Sequence, residues 1–518
     1  TEYQSHLRWQ PADRLIMATP AGDSHQVASG GVIAAGRYYG TPATSLTLTD
    51  TVHPRLYQRV GTSKSITVAG TSDGTRIQAR ACPVGKGLTQ DEGLYPFIEL
   101  TPSHPGGAFS LPLSVPQGDF WVVQIRDGLN HALGQTGTHQ FGVGSVIALL
   151  GQSNMENSFG SISSWPLGSP SALVKSGTDA IQRIGAIKDS FPPSTLSPIY
   201  GSWDSQGSAS ARDHGNAIVL MANDLVEALG CPVLLLTYAA SGTSSSMWVS
   251  GQAYMVSFLA GMDAVGGDCE AAIWLQGESD VGSAATYQSN LQNIFNTIKA
   301  HTGRSVFPFG VVTVGPGMST SGAWGAAWSA EGTLAPIRKA QQDFVAANLA
   351  AGAFLAGTDI DGNLASASPI HIDTASLFRQ GYRYTEAIKR RYAGAANNIE
   401  GPSIASASRS GNIVTVNVTQ HGGSLLRDGA GGSGSSLLGF RVFDGGSPMT
   451  IISTAISGNT VILTLSATPS GVVTMDYAME NAPFGPTTSP ASVCYDNQTI
   501  PRDSLGLPLQ PKYLFTVS

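Results

Sequence analysis

Charged side chains make up only 12% of this sequence, about half the ~25% of an ordinary soluble protein. Coiled coils and charge-rich disordered chains are excluded on that ground. Acidic residues outnumber basic ones, 35 against 28, for a net charge of -7. No basic block of the kind that grips phosphates is present, so nucleic-acid binding is not expected. Long apolar runs are absent too: Val146 to Leu150 and Val233 to Leu236 are strand-sized, far short of the ~20 residues of a membrane helix. No basic and apolar leader precedes Thr1, which fits a processed exported protein as well as one that never had a signal. Cysteines are few. Cys82, Cys231, Cys269 and Cys494 lie far apart without a C-x-x-C pair, so no zinc site or redox motif is expected and buried free thiols are the plain reading. A Cys231–Cys269 disulfide would need Cα atoms within about 7 Å.

Glycine, with 62 residues, and proline, with 29, punctuate the chain into three stretches. From about Thr41 to Val143, short β-type runs (Ser65 to Ala69, Arg76 to Ala81, Phe97 to Leu100, Phe120 to Arg126) alternate with turn residues, the spacing of a small β-sandwich. The first forty residues show no clear periodicity. From about Gly144 to Ala396, apolar strands are separated by helix-length segments, the pattern of a parallel sheet covered by helices. Strands are expected at Val146 to Leu150, Val233 to Thr237, Ala271 to Leu275, Phe307 to Val314 and Ala353 to Gly357. Helices are expected at Ala217 to Leu229, Ala285 to His301, Leu334 to Leu349 and Leu377 to Tyr392. After Gly401-Pro402 short strands return at Ile413 to Val418, Gly439 to Phe443, Thr460 to Leu465 and Val472 to Tyr477, which reads as a second sandwich. The tract Gly429 to Ser436 offers little apolar surface and reads as a mobile hairpin loop. The expected division is thus 1–143, 144–398 and 399–518, with a three-layer α/β domain between two β-rich ones.

In open α/β sheets ligands bind beyond the carboxyl ends of the strands, so the residues following each strand carry the functional argument. The first strand runs into Gly151-Gln152-Ser153-Asn154-Met155, a serine on a tight glycine turn and a candidate nucleophile; an ordinary turn or N-cap serine is the plain alternative. The second ends in Ala239-Ala240-Ser241-Gly242-Thr243, small residues that let backbone N–H groups approach a ligand. The third leads into Gln276-Gly277-Glu278-Ser279-Asp280 and the fifth into Ser368-Pro369-Ile370-His371. His371 could reach the strand tips as a base, with His214 as its nearest rival. Gly70-Thr71-Ser72-Asp73-Gly74 fits the G-x-S-x-G elbow of classical α/β-hydrolases, but it lies between two short strands where that elbow must join a strand to a helix.

Gly151-Gln152-Ser153-Asn154-Met155, Gly242-Thr243 with Trp248, Gln276-Gly277-Glu278-Ser279-Asp280, and His371 followed by Gly381-Tyr382-Arg383 resemble the first, second, third and fifth sequence blocks of the SGNH hydrolases, specifically the sialate O-acetylesterase and acetylxylan esterase-like carbohydrate esterases. Leu56-Tyr57-Gln58-Arg59 and Gly439-Phe440 resemble the flanking regions of multidomain bacterial members. The resemblance implies a flavodoxin-like parallel sheet and a serine esterase that releases O-acetyl groups from a carbohydrate through an acetyl-enzyme, without metal or other cofactor. The acetylated carbohydrate is the expected partner, neither nucleic acid nor membrane is, and the expected setting is secreted, periplasmic or virion-associated. Ser153 is then the nucleophile and His371 the base, with oxyanion donors from the N–H groups of Ser153 and Gly242 and the amide of Gln276; Ser279 is the fallback. Two departures stand out. The family's third-block asparagine is Ser279 here, and its Asp-x-x-His reads Ser368-Pro369-Ile370-His371. The acid that orients the histidine is therefore missing from its place. Glu278 is the first substitute, with Asp213, Asp361 or Asp373 behind it, and a main-chain carbonyl in a Ser-His dyad is the alternative. Trp248, Trp324 and Trp328 are candidate sugar-stacking residues, with core packing as the competing role. The rival reading from another class is a non-catalytic carbohydrate-binding or virion-tail protein on the same scaffold; phosphodiesterase or lipase chemistry is a variant within the fold.

Overall fold

A computed structural model describes residues 7–10, 14–18, 24–26, 33–34, 37–38, 40–51, 53, 56–156, 184–188, 218–263, 265–317, 333–365, 370–392, 400–485, 489–500 and 503–518. The chain divides into two compact units, Thr1–Gly144 and Ser145–Ser518.

In the first unit Gly107–Pro116 pairs antiparallel with Ser63–Ser72, which also pairs with Leu46–Leu48. Ile77–Pro83 pairs with Ile98–Thr101 and with Gly118–Asp127. Alternation decides which side chains turn inward: Ile66 and Val68 from one sheet and Ile77, Ala79, Val123 and Ile125 from the other share one apolar core. The Gly70–Gly74 pentapeptide lies at the end of Ser63–Ser72 and in the turn before Ile77–Pro83, with no helix after it. It is no nucleophile elbow.

The second unit is built on parallel strands that lie side by side in the order Ile184–Lys188, Val233–Ala239, Ser145 to Gly151 of the strand Phe141–Gly151, Ala271–Leu275, Phe309–Thr313, Ala353–Thr358. The side chains of Ser145 to Gly151, Ala271–Leu275, Phe309–Thr313 and Ala353–Thr358 are buried on both faces, which is why these strands read as unbroken apolar runs instead of alternating ones. One face packs Ile147, Leu149, Leu235, Ile273 and Phe354 against Met221 and Leu225 of the helix Ile218–Leu229 and Tyr384 and Ile388 of Thr374–Tyr392. Elsewhere Phe309 meets Phe295 of Ala284–Thr302 and Phe344 of Ala335–Asn348 with ring centroids 5.4 and 6.0 Å away. The strand Ser145–Gly151 is followed in sequence by strands on one side of it and later by strands on the other. It therefore stands at the point where the order reverses, the usual ligand-binding edge of such sheets.

Two elements escape the sequence pattern. Ile184–Lys188 adds an outer parallel strand, and Ala253–Asp263 forms a helix whose continuous apolar run hides its period. Among the described residues the C-terminal strands form two four-stranded antiparallel sheets and a two-stranded one, with Val414, Val416, Val461 and Leu463 of one four-stranded sheet sharing a core with Val442, Met475 and Tyr477 of the other. The tract Gly429 to Ser436, expected to be mobile, is held by one carboxylate: Asp428 Oδ1 accepts the N–H groups of Ala430 at 3.0 Å and Gly432 at 2.7 Å, and Oδ2 accepts Gly434 at 3.1 Å. Backbone hydrogen bonds to Asp428 supply the order that apolar burial could not. All four cysteines are buried thiols, and no disulfide joins them. Among the described residues no helix is long and apolar enough to cross a membrane.

The C-terminal sheets are tied to the α/β part by buried polar contacts. Arg383 of the helix Thr374–Tyr392 pairs with Asp361 at 2.8 Å and with Asp503 at 2.8 Å, and the Tyr495 hydroxyl donates to Asp361 at 2.8 Å. The fully buried Arg338 donates to main-chain carbonyls of Val314 and Gly315 on one side and Ala478 and Glu480 on the other.

Candidate active site

Strand ends assemble the site. Gly151 closes the first parallel strand at φ 148°, and a Cβ there would sit 1.9 Å from the Leu275 carbonyl oxygen of the neighbouring strand. Only glycine allows that approach. The main chain then turns sharply: Gln152 N–H donates to Leu275 O at 3.2 Å and Ala240 N–H to Gly151 O at 3.1 Å. Ser153 follows as the first residue of the short helix Ser153–Glu156 and is buried.

The second strand, Val233–Ala239, leads to Gly242 at φ 74°, a left-handed turn with no atom within 4 Å of where a Cβ would lie. Thr243 Oγ1 donates to Ala240 O at 2.8 Å and accepts from Trp248 Nε1 at 3.0 Å. Trp248 is thus a support of this turn. It is fully buried, stacked on Tyr254 at 5.3 Å and edge-on to Trp274 at 5.7 Å, so the expected sugar-stacking role is corrected to core packing. Trp324, Trp328, Asp213, His214 and Ser368 lie outside the described residues.

The third strand end supplies an amide and carboxylate network that is buried throughout. Gln276 Nε2 donates to Asp280 Oδ2 at 2.5 Å, to Thr243 O at 2.9 Å and to Gln152 Oε1 at 3.1 Å. Its two N–H bonds are therefore engaged within the protein, and the expected direct aim at a substrate oxygen gives way to holding the Thr243 turn. Asp280 also accepts Ser245 N–H at 2.8 Å and Ser245 Oγ at 2.6 Å, joining the second and third strand ends. Its role was not assigned from sequence, though its place in a dense polar cluster was the signal. Ser279 N–H donates to Gln152 Oε1 at 3.2 Å. Among the described residues, Gln152 Nε2, Gln276 Oε1 and Glu278 Oε2 are buried polar atoms without a hydrogen-bond partner.

Asn154, which the sequence argument passed over, joins the first, third and fifth strand ends. Its Nδ2 donates to Glu278 Oε1 at 2.6 Å and to the Ile370 carbonyl at 3.1 Å, and its Oδ1 accepts Ile372 N–H at 3.2 Å. The two main-chain bonds lie on either side of His371. That residue is half-buried, and its carbonyl accepts Ala365 N–H at 2.8 Å. The structure thus brings the residue after Ser153 against the segment that carries His371. Glu278 is buried, and burial raises its carboxyl above the ordinary value of 4.5 against the lowering effect of the Asn154 hydrogen bond. The other two described candidates for orienting acid are committed elsewhere: Asp361 to Arg383 and Arg379, and Asp373 Oδ1 to the N–H of Ser376 at 2.8 Å, in the first turn of the last helix of the sheet.

Residues 143–390, the stretch that carries all these strand ends, match the family model described as carbohydrate esterase, sialic acid-specific acetylesterase. Over this stretch, just under half of the chain, the protein is similar to that family of carbohydrate esterases. No curated relative matches by sequence. Among solved structures, a carbohydrate acetylesterase from Xanthomonas citri is 18% identical with a TM-score of 0.57, covering 92% of this chain and 100% of its own. A protein from Arabidopsis thaliana is 17% identical with a TM-score of 0.30, covering 48% of this chain and 98% of its own. A family two carbohydrate esterase from Clostridium thermocellum, solved as an active-site mutant with a cello-oligosaccharide, is 12% identical with a TM-score of 0.28, covering 64% and 90%. The first of these likenesses is a likeness of fold over most of the chain.

Proposed function

We propose that this esterase removes O-acetyl groups from a carbohydrate through an acetyl-enzyme on Ser153. The observation that carries the reading is the Asn154 side chain, which pins the main chain on both sides of His371 next to the candidate nucleophile, at the reversal point of the sheet. Ester cleavage needs a nucleophile, a base and donors for the developing oxyanion. Ser153 Oγ attacks the acetyl carbonyl carbon while His371 takes its proton. The ester C–O bond then breaks and the sugar oxygen leaves with that proton. Water, deprotonated by His371, attacks the acetyl-serine, releasing acetate and restoring the serine. The N–H groups of Ser153 and Gly242 serve the oxyanion, and Gln276 belongs to that machinery as the residue that fixes the Gly242-Thr243 turn, with Ser279 behind Gln152 as the alternative. An acetylated carbohydrate as substrate is supported by the family description.

We read the organisation as 1–143, 144–398 and 399–518, a three-layer flavodoxin-like sheet between two β-sandwiches, in a secreted, periplasmic or virion-associated protein. Acetate release from 4-nitrophenyl acetate and from a panel of acetylated sugars tests the reaction, comparing wild type with Ser153→Ala and His371→Ala. Turnover by wild type that both variants abolish is the expected result. A wild type inert on every ester overturns it in favour of a non-catalytic carbohydrate-binding protein.

A further inference from the structure

We infer that Asn154 is the positioning residue of the catalytic histidine and that Glu278 acts on His371 only through it. The inference rests on the serine-esterase reading above. Its starting point is the missing acid: the usual partner of the histidine is replaced by Ser368, and the two hydrogen-bonding ends of the Asn154 carboxamide do a different job. They hold the histidine by its main chain. The orientation of that carboxamide is unambiguous, because Ile372 offers only an N–H and Ile370 only a carbonyl oxygen at those points. The second Nδ2 hydrogen is taken by Glu278 Oε1 at 2.6 Å, while Glu278 Oε2 accepts none. Both Nδ2 hydrogens and one acceptor position of the Asn154 amide are therefore spent on Glu278 or on the main chain of Ile370 and Ile372, which flank His371.

The His371 segment is held from its other side as well. Asp373 N–H donates to Asn363 O at 2.8 Å, and His371 O accepts from Ala365. These bonds come from the segment that precedes the histidine in sequence. Asn154, one residue after Ser153, ties the His371 segment to the nucleophile turn through Ile370 and Ile372, and so helps to set the distance between the two reacting side chains. A displacement of about 1 Å at such a point costs on the order of a hundredfold in rate. Glu278 needs no negative charge for this task; a neutral acid or an amide can offer the same oxygen to Asn154 Nδ2.

The test uses the full chain with 4-nitrophenyl acetate and an acetylated sugar. Asn154→Ala is expected to lower kcat ~30- to 100-fold while KM stays within about threefold. Asn154→Asp keeps the shape but turns an oxygen toward Glu278 Oε1 and Ile370 O, and is expected to be as impaired. Pairing it with Glu278→Gln restores a donor and acceptor at that contact and is expected to recover at least ~5-fold in kcat. Glu278→Gln alone is expected to lose less than Glu278→Ala. A merely structural role would lower stability without this kcat-specific loss or the recovery in the double variant. The inference alone is overturned if Ser153→Ala is dead against an active wild type yet Asn154→Ala keeps kcat within threefold. It is equally overturned if Glu278→Gln is as impaired as His371→Ala, which would mean that the charge of Glu278 acts on the imidazole directly. Wild type no more active than Ser153→Ala defeats the serine-esterase reading itself.

Discussion

Two buried polar clusters sit in the same unit and are built on opposite rules. Around Ser153 the protein uses neutral amides, Gln152, Asn154 and Gln276, together with Glu278 and Asp280, and leaves Gln152 Nε2, Gln276 Oε1 and Glu278 Oε2 without partners. Around Arg383 it uses full charges. Both oxygens of Asp361 and one of Asp503 pair with the guanidinium, and Tyr495 and Arg379 complete the set. In that cluster the buried carboxylate of Asp361 and the guanidinium of Arg383 are already paired with each other, which leaves those charges little to offer a substrate. The amide cluster, with unspent donors and acceptors in a dry environment, is where chemistry can take place.

That contrast predicts opposite phenotypes. Ser153→Ala is expected to lower turnover by about 10⁴-fold or more while leaving the melting temperature near wild type. Loss of stability without loss of turnover would reverse the assignment of the two clusters. Arg383→Met is expected to destabilise by about 3–5 kcal/mol, because it leaves Asp361 and Asp503 buried and unpaired. Urea unfolding measures this, and a change below about 1 kcal/mol would show that the cluster is solvated in solution.

The third prediction sharpens the comparison inside one turn of chain. Asp359 and Asp361 are both fully buried, yet burial pushes Asp359 from its ordinary 3.8 up to about 8 despite the Tyr384 hydroxyl bonded to it. Burial would raise Asp361 too, but Arg383 and Arg379 hold it below the ordinary value. The signs follow from which state binds protons more tightly. Asp361 contributes stability that is present above the unfolded carboxylate range and is lost as pH falls through its depressed value. Asp359, held protonated in the folded state, costs stability that grows as pH rises from about 4 toward 8, by roughly 1.4 kcal/mol per pH unit. Asp359→Asn is therefore expected to gain on wild type by about 3 kcal/mol between pH 5 and pH 7. Parallel unfolding curves at both pH values would show that Asp359 is not buried as a neutral acid.

How much of this the sequence made legible depends on the kind of force involved. Strands that bury both faces announce themselves as apolar runs, so Ala271–Leu275 and its neighbours fall where the pattern puts them. The strand ends, and with them Ser153, Gly242, Gln276 and His371, follow from that. Side-chain direction does not. Trp248 has the same place in sequence whether it faces a sugar or Trp274, and only packing shows the second. Asp280 and Asn154 were in view as parts of polar motifs, but the partners that join strand ends, Ser245 for Asp280 and Ile372 for Asn154, lie 35 residues and more than 200 residues away. No local pattern encodes such a contact. Asp428 shows the reverse case, a glycine-rich tract ordered by one carboxylate at its edge.

The smallest effect tests the second strand end. Gly242 holds φ 74° with open space around its missing Cβ, so Gly242→Ala meets no steric clash and is charged only for the left-handed backbone, roughly 1–2 kcal/mol. Two outcomes separate its possible roles. If Gly242 N–H donates to the oxyanion, the alanine variant relaxes its φ, re-aims that N–H and loses kcat/KM by about tenfold or more, beyond what the stability change explains at a temperature well below melting. If turnover at that temperature is unchanged while the melting temperature falls, Gly242 only shapes the turn, and the oxyanion must be held by Ser153 N–H.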